Sequence, residues 1–262
     1  GVAWSRYLAE TREATAEVTA KFTEGVEPGH RETVTLTDYD PLGEEKVIAA
    51  AMYASSDLPD DRLQSLAHTM SPDERDAVLS AYVGQRGNRR HKPGRAFERT
   101  GYRFDVLCDY GAFRDLQRHR LLTLEWQRLS PEHGFDTPDV IADAGMTEEW
   151  NRVMEDSAAT WAMLSEHAGE DVAQYSVAMA YRIRFVMQMS AREAMHLIEL
   201  RSSPQGHPTY RRVAQQMYDL IEKNAGHRAI ARTMTYLDTS DVDLERREAE
   251  RRAEDKRRAA RA

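Results

Sequence analysis

One cysteine in 262 residues, Cys108, rules out an internal disulfide and any cysteine-rich metal centre, and it suits a reducing compartment. No stretch supplies the roughly 18 consecutive apolar residues that a membrane-spanning helix needs. The first residues lack the basic-then-apolar pattern of a signal peptide. The expected location is therefore the cytoplasm. A formal charge of −8 argues against a general nucleic-acid coat, while leaving local basic patches open. No pair of histidines or carboxylates has convincing metal-ligand spacing, so no metal is expected, and no internal repeat is visible. What remains is an ordinary balance of 41% apolar and 31% charged residues. A chain of this length buries roughly three quarters of its unfolded surface on folding.

Along the chain, Trp4, Leu8, Val18 and Phe22 fall on one helical stripe with Ser5 as the expected N-cap, and "EGVEPGH" ends it. Residues 1–30 read as a leading helix or linker, 31–240 as the main domain and 241–262 as a charged helical tail. "ETVTLTDYDP" alternates Val34 and Leu36 with polar residues, a short strand closed by Asp40-Pro41. "GEEKVIAAAMYASS" is helical, and "SPDERDAVLSAYV" starts a helix with Ser71 as cap and Pro72 in its first turn. In "YRFDVLCDY", Tyr102, Phe104, Val106 and Cys108 share one side, a strand buried on one face. "LLTLEWQRL" reads as a second strand. From Thr147 to about Leu237 nearly everything reads as helix, including one core helix carrying Ile183, Val186, Met187, Ser190, Ala194, Leu197 and Ile198.

Two basic features stand out from the acidic background. Arg86, Arg89, Arg90, Lys92, Arg95, Arg99 and Arg103 are opposed in sequence only by Glu98. Arg118, His119 and Arg120 form a triplet whose side chains cannot share one face, so at least one of them turns inward or toward a ligand. Salt bridges from the triplet to Asp105, Asp109, Asp115 or Glu125 are the plain alternative. Arg201 ends a helical run, and Gln205 and His207 follow in a Pro-Gly loop, where binding groups are commonly placed. His207 equally suits ordering that loop, and His196 suits either a buried, satisfied histidine or a ligand neighbour.

"QRHR" after a strand and short helix, "VTLTDYDPLGEEKVIAAAMYAS" near the start and "SAREAMHLIELRSSPQGHPTYRRVAQQM" near the end together resemble the flavin-dependent thymidylate synthase family, ThyX. Order and spacing fit from about residue 32 to residue 237. The family places a serine after the triplet and seven further residues; here Arg128 stands there and Ser130 comes two places later. The family's Asn-Ala-Arg is Ser190-Ala191-Arg192, and its final Leu-Arg is Leu200-Arg201. "GYRFDVLCDYGAFRDLQRHRLLTLEWQ" is most similar to the second half of tandem ThyX-like proteins, in which the Trp4–Phe22 helix would connect the halves.

The resemblance implies an α/β (α+β) fold, a small mixed sheet packed by long helices with a helix-rich C-terminal half, assembled as a homotetramer or with a second ThyX-like half. It implies reductive methylation of dUMP to dTMP with FAD, NADPH and methylenetetrahydrofolate. Arg118, His119, Arg120, Ser190 and His196 would then hold flavin. Arg201 would act in catalysis and hold the nucleotide, helped by Arg128 and His207. A second reading is a catalytically degenerate half serving as a structural or regulatory subunit. A third is a nucleic-acid-binding module built on residues 86–103, which lacks an aromatic stacking pattern.

Overall fold

Strand and helix periodicities divide the chain, and the computed structural model describes residues 1–29, 31–240, 251, 255 and 258. The expected tail thus lies almost wholly outside the described residues. Two compact units are present, Gly1–Arg31 and Glu32–Ala262. The first holds α1 (Val2–Thr23), capped by Gly1 rather than Ser5. Ser5 lies inside the helix, its hydroxyl bonded back to the Gly1 carbonyl at 3.2 Å. Trp4, Val18 and Phe22 are exposed.

Among the described residues the second unit is built on four strands, β1 (Val34–Tyr39), β2 (Gly101–Asp109), β3 (Leu122–Trp126) and β4 (Arg182–Ser190). Their order is β1-β2-β4-β3 and every pairing is antiparallel, which corrects the expectation of a mixed sheet. β4 corrects a second expectation, because residues 183–198 are not one helix. Ile183, Phe185, Met187 and Met189 are buried at a period of two, opposite Cys108, Val106, Phe104 and Tyr102 of β2. The expected helix begins only at Ser190.

Around the sheet stand α2 (Gly43–Tyr53), α3 (Asp60–Thr69), α4 (Pro72–Val83), α5 (Tyr110–Leu116), α6 (Asp139–Asp143), α7 (Thr147–Ala168), α8 (Glu170–Ala173), α9 (Ala191–Arg201), α10 (Pro208–Asp219) and α11 (Arg228–Arg232). α4 starts with the expected cap, a reciprocal box between Ser71 and Glu74. Val47 and Ile48 of α2, Leu197 and Ile198 of α9, and Val213 and Met217 of α10 join the buried sheet residues in one core. Each such side chain contributes about 1.5–3 kcal/mol by burial. A smaller cluster gathers Met154, Val177 and Tyr181 with Trp150 and Trp161. Among the described residues no helix is long and apolar enough to cross a membrane.

Several connections are closed by buried polar groups. The Glu44 carboxylate of α2 accepts from the backbone N–H groups of Ala229 and Ile230 at the start of α11, at 2.7 and 3.2 Å. Burial pushes its carboxyl pKa up against those bonds. Tyr102 meets His227 Nδ1 at 2.8 Å in the interior. Gly43 sits against this pair, and a Cβ there would lie 2.1 Å from Thr100 Oγ1 and 2.8 Å from His227 Cε1. Only glycine fits that close approach.

Candidate functional site

The sheet register pairs Gly101 with Ser190 and Leu122 with Met189, so the starts of β2 and β3 and the end of β4 meet at one edge of the molecule. α9 starts there too, with the Ser190 hydroxyl accepting from Glu193 N at 3.3 Å. Here opens a cleft of about 880 Å³, lined by Leu121–Thr123, Gln188–Ser190, Thr100 and Gly101 and by charged groups of both signs. Lys92, Arg95, Arg99 and Arg192 face Asp40, Glu98 and Glu193. Its size suits a nucleotide-sized ligand.

Much of the basic run is internally engaged. Arg86 is buried in a two-pronged pair with Glu199 at 2.5 and 2.6 Å. Arg95 pairs with Glu98 at 2.9 Å, Arg99 with Asp60 at 3.2 Å, and Arg103 donates to Gln188 at 2.7 Å. Arg192 bonds the Pro93 carbonyl at 2.9 Å and Glu98 at 3.2 Å, tying α9 to the basic loop. Lys92 lies in the cleft with no ion-pair partner among the described residues.

The triplet splits between surface and interior. Arg118 is exposed and pairs with Asp115 at 3.0 Å, so the plain alternative holds for this residue. Arg120 is exposed with no ion-pair partner among the described residues. His119 alone turns inward. Its Nδ1 lies 2.9 Å from Glu193 Oε1, and Arg201 Nε donates to its Nε2 at 3.1 Å. An arginine N–H can only donate, so Nε2 is the acceptor and the ring proton sits on Nδ1, against the carboxylate. Arg201 also donates to the Asp115 carbonyl at 2.5 Å and lies over the Tyr210 ring at 5.2 Å.

His196, one turn after Glu193, meets the His119 ring edge-on with centroids 5.5 Å apart. Burial lowers its pKa, and the charges of Lys92 and Arg89 lower it further while Glu193 opposes them. The ligand atoms of His119, Glu193 and His196 lie within 4.8 Å of one another, a metal-like spacing that the sequence did not reveal. Histidines bound to a metal donate their second N–H outward. Here the second nitrogen of His119 accepts from Arg201, whose positive charge also opposes a cation, so Glu193, His119 and Arg201 form a hydrogen-bond chain against which His196 packs.

Of the remaining expected residues, Ser190 lines the cleft, while His207 and Arg128 lie elsewhere. Ser190 caps α9. His207 caps α10, its Nδ1 accepting from Thr209 N at 3.3 Å. Arg128 does not line the cleft; it pairs with Glu170 at 2.6 Å and Asp171 at 3.3 Å. Glu193, Arg192 and Lys92 went unassigned in the sequence. The basic run announced Lys92, but Ser190-x-x-Glu193 reads as a capping box, and the structure sends that carboxylate to His119 instead.

A small antiparallel sheet under helices, with a cleft of mixed charge where β2, β4 and α9 meet, places the chain among proteins of the ThyX architecture. Residues 35–225 match the model of the thymidylate synthase complementing protein family, and the chain belongs to that family. The UPF0159 protein of Thermoplasma acidophilum is 38% identical over 225 residues, covering 85% of this chain and 44% of its own length. The UPF0159 protein of Chlamydia muridarum is 34% identical over 242 residues, with 92% and 45% covered. The chain thus spans less than half the length of these relatives. ThyX from Helicobacter pylori, solved with FAD and dUMP, superposes with a TM-score of 0.56 at 16% identity, covering 78% of this chain and all of that one. The UMP/dUMP methylase PolB from Streptomyces cacaoi, bound with 5-Br dUMP, gives 0.59 at 19%, covering 76% and 94%. At these identities the likeness is one of fold.

Proposed function

We propose that the chain is a thymidylate-synthase-type module that binds FAD and a pyrimidine nucleotide at the cleft and serves reductive methylation of dUMP to dTMP. Methylenetetrahydrofolate would be the carbon donor and NADPH the reductant. The observation that carries this reading is the row of Ser190, Arg192, His196 and Arg201 along α9, bridged by His119, whose first turn lines a cleft holding a lysine with no ion-pair partner among the described residues. This donor set fits a planar anionic cofactor, since guanidinium groups offer fixed forks to phosphate and carbonyl oxygens. Bound flavin would supply the redox chemistry. The chain's own residues bind, orient and polarise: Ser190, His196 and Arg120 toward the cofactor, Arg201 toward the nucleotide. The working form would be a homo-oligomer or a pair with a second ThyX-like half.

A second reading, a degenerate half with a structural or regulatory role, is favoured by one observation. Arg201 and Arg128, both expected at the nucleotide, are engaged by partners within the chain. Both readings meet in one experiment. The purified chain is mixed with FAD, washed and examined for a visible flavin band, and NADPH oxidation is followed with and without dUMP. A retained band that Arg120→Ala weakens, with nucleotide-dependent oxidation, supports the enzyme. A colourless protein that leaves NADPH untouched refutes it and favours the degenerate half.

A further inference from the structure

Glu193 is a buried carboxylate at the wall of the cleft, and its charge is not used by the cap at the start of α9. Its Oε1 faces His119 Nδ1 at 2.9 Å, with both side chains about 95% buried. We propose that Glu193 is a positioning residue that holds the His119 proton on Nδ1, keeps Nε2 bare as an acceptor, and thereby fixes Arg201 for an anionic ligand. The ligand's identity as a pyrimidine nucleotide rests on the function proposed above; the Glu193–His119–Arg201 chain does not.

The argument is one of donors and acceptors. A neutral imidazole carries one N–H and one bare nitrogen. With its proton on Nε2, His119 would turn a donor toward the Arg201 Nε–H, and the two would repel. A carboxylate is acceptor-only, so Glu193 selects the other tautomer, the one in which the whole chain is satisfied. Arg201 is held further by the Asp115 carbonyl, by the Asp115 carboxylate at 3.5 Å and by the face of Tyr210. With Nε on His119, the guanidinium is fixed in orientation before any ligand arrives, and such preorganisation raises affinity by removing an ordering cost. The same inventory disfavours a cation between His119, Glu193 and His196, because a metal on Nδ1 would force the proton to Nε2.

Glu193→Gln and Glu193→Ala in the full chain test this. Nitrogen-15 NMR reads the His119 ring tautomer and the Arg201 Nε–H signal, and calorimetry reads dUMP binding. The amide oxygen of glutamine still accepts from Nδ1–H, so Glu193→Gln should keep the wild-type tautomer and bind within about twofold. Glu193→Ala should lose the fixed tautomer, broaden the Arg201 signal and bind about tenfold more weakly, the equivalent of one lost hydrogen bond. Glutamine behaving like alanine would make charge the operative property and overturn the assignment. So would an unchanged ring spectrum in Glu193→Ala. Saturation of the His119 and His196 signals by micromolar Zn²⁺ in the wild type would replace the chain with a metal site. Wild-type protein that binds no dUMP would sink the proposed function, while the ring and guanidinium signals would still decide the role of Glu193.

Discussion

Glu199→Gln is the sharpest test of how the basic loop is held. All five guanidinium N–H groups of Arg86 have an acceptor. Nε meets the His91 carbonyl at 2.7 Å, Nη1 meets Glu199 and the Thr233 carbonyl, and Nη2 meets Glu199 and the Arg89 carbonyl. The two side chains are 4% and 0% exposed. Glutamine keeps the shape, removes the countercharge and turns an N–H₂ toward a guanidinium that can only donate. Breaking a buried pair from one side costs about 3–5 kcal/mol. At about 2–4 °C per kcal/mol this amounts to roughly 6–20 °C in Tm. Urea unfolding of Glu199→Gln, Arg86→Met and Arg86→Met with Glu199→Leu would measure it. The double variant should be more stable than the sum of single losses predicts, by about 2 kcal/mol. Trypsin should also cut the 86–95 segment faster in Glu199→Gln, because this pair anchors the loop that carries Lys92 into the cleft. A single-variant cost below about 1 kcal/mol, or additive losses, would refute a closed, desolvated pair.

Two further outcomes follow from the interior. Burial lowers the pKa of His227 below its ordinary 6.5, with Asp40 opposing; the folded state therefore prefers the neutral ring. Its contribution to stability is full above pH 6.5 and is lost as pH falls below that value. His196 adds a shift of the same sign and Glu44 one of opposite sign at lower pH. Unfolding free energy should drop between pH 7 and 5.5, and His227→Gln should flatten that slope; an equal slope in the variant would remove His227 as its source. Gly43→Ala drives a methyl group into Thr100 and His227. It should cost about 1–3 kcal/mol by overpacking, whereas a melting temperature at or above wild type would show that the corner gives way freely.

The fold was legible where periodicity was unambiguous. Tyr102, Phe104, Val106 and Cys108 alternate cleanly, and β2 is where they place it. Ser71-Pro72 marked the start of α4. β4 was missed because its apolar residues run directly into those of α9, and Ile183, Val186, Met187 and Ser190 satisfy a helical spacing by coincidence. Ser190, on the stripe of that expected helix, is the junction between strand and helix. Strand direction was not readable at all, since it is set by connections and not by the strands' own residues. At the site, the sequence established that the triplet must divide, but not that His119 is the inward member. That follows from Glu193 and Arg201, which lie 74 and 82 residues further along.

The strand order also sets a schedule. β2 and β4 are central neighbours joined by the most extensive ladder of the sheet, yet 72 residues, 110–181, lie between them along the chain. At about 5–20 residues per second, a ribosome that has completed β2 needs roughly 4–16 s to deliver β4. Until then β2 has β1 on one side and an open, apolar edge on the other, the kind of edge that invites pairing with another chain. The interval between those two strands is therefore when the nascent protein is most exposed to aggregation. Slower synthesis across residues 110–181 would lengthen that exposure, and a chaperone would act most usefully there.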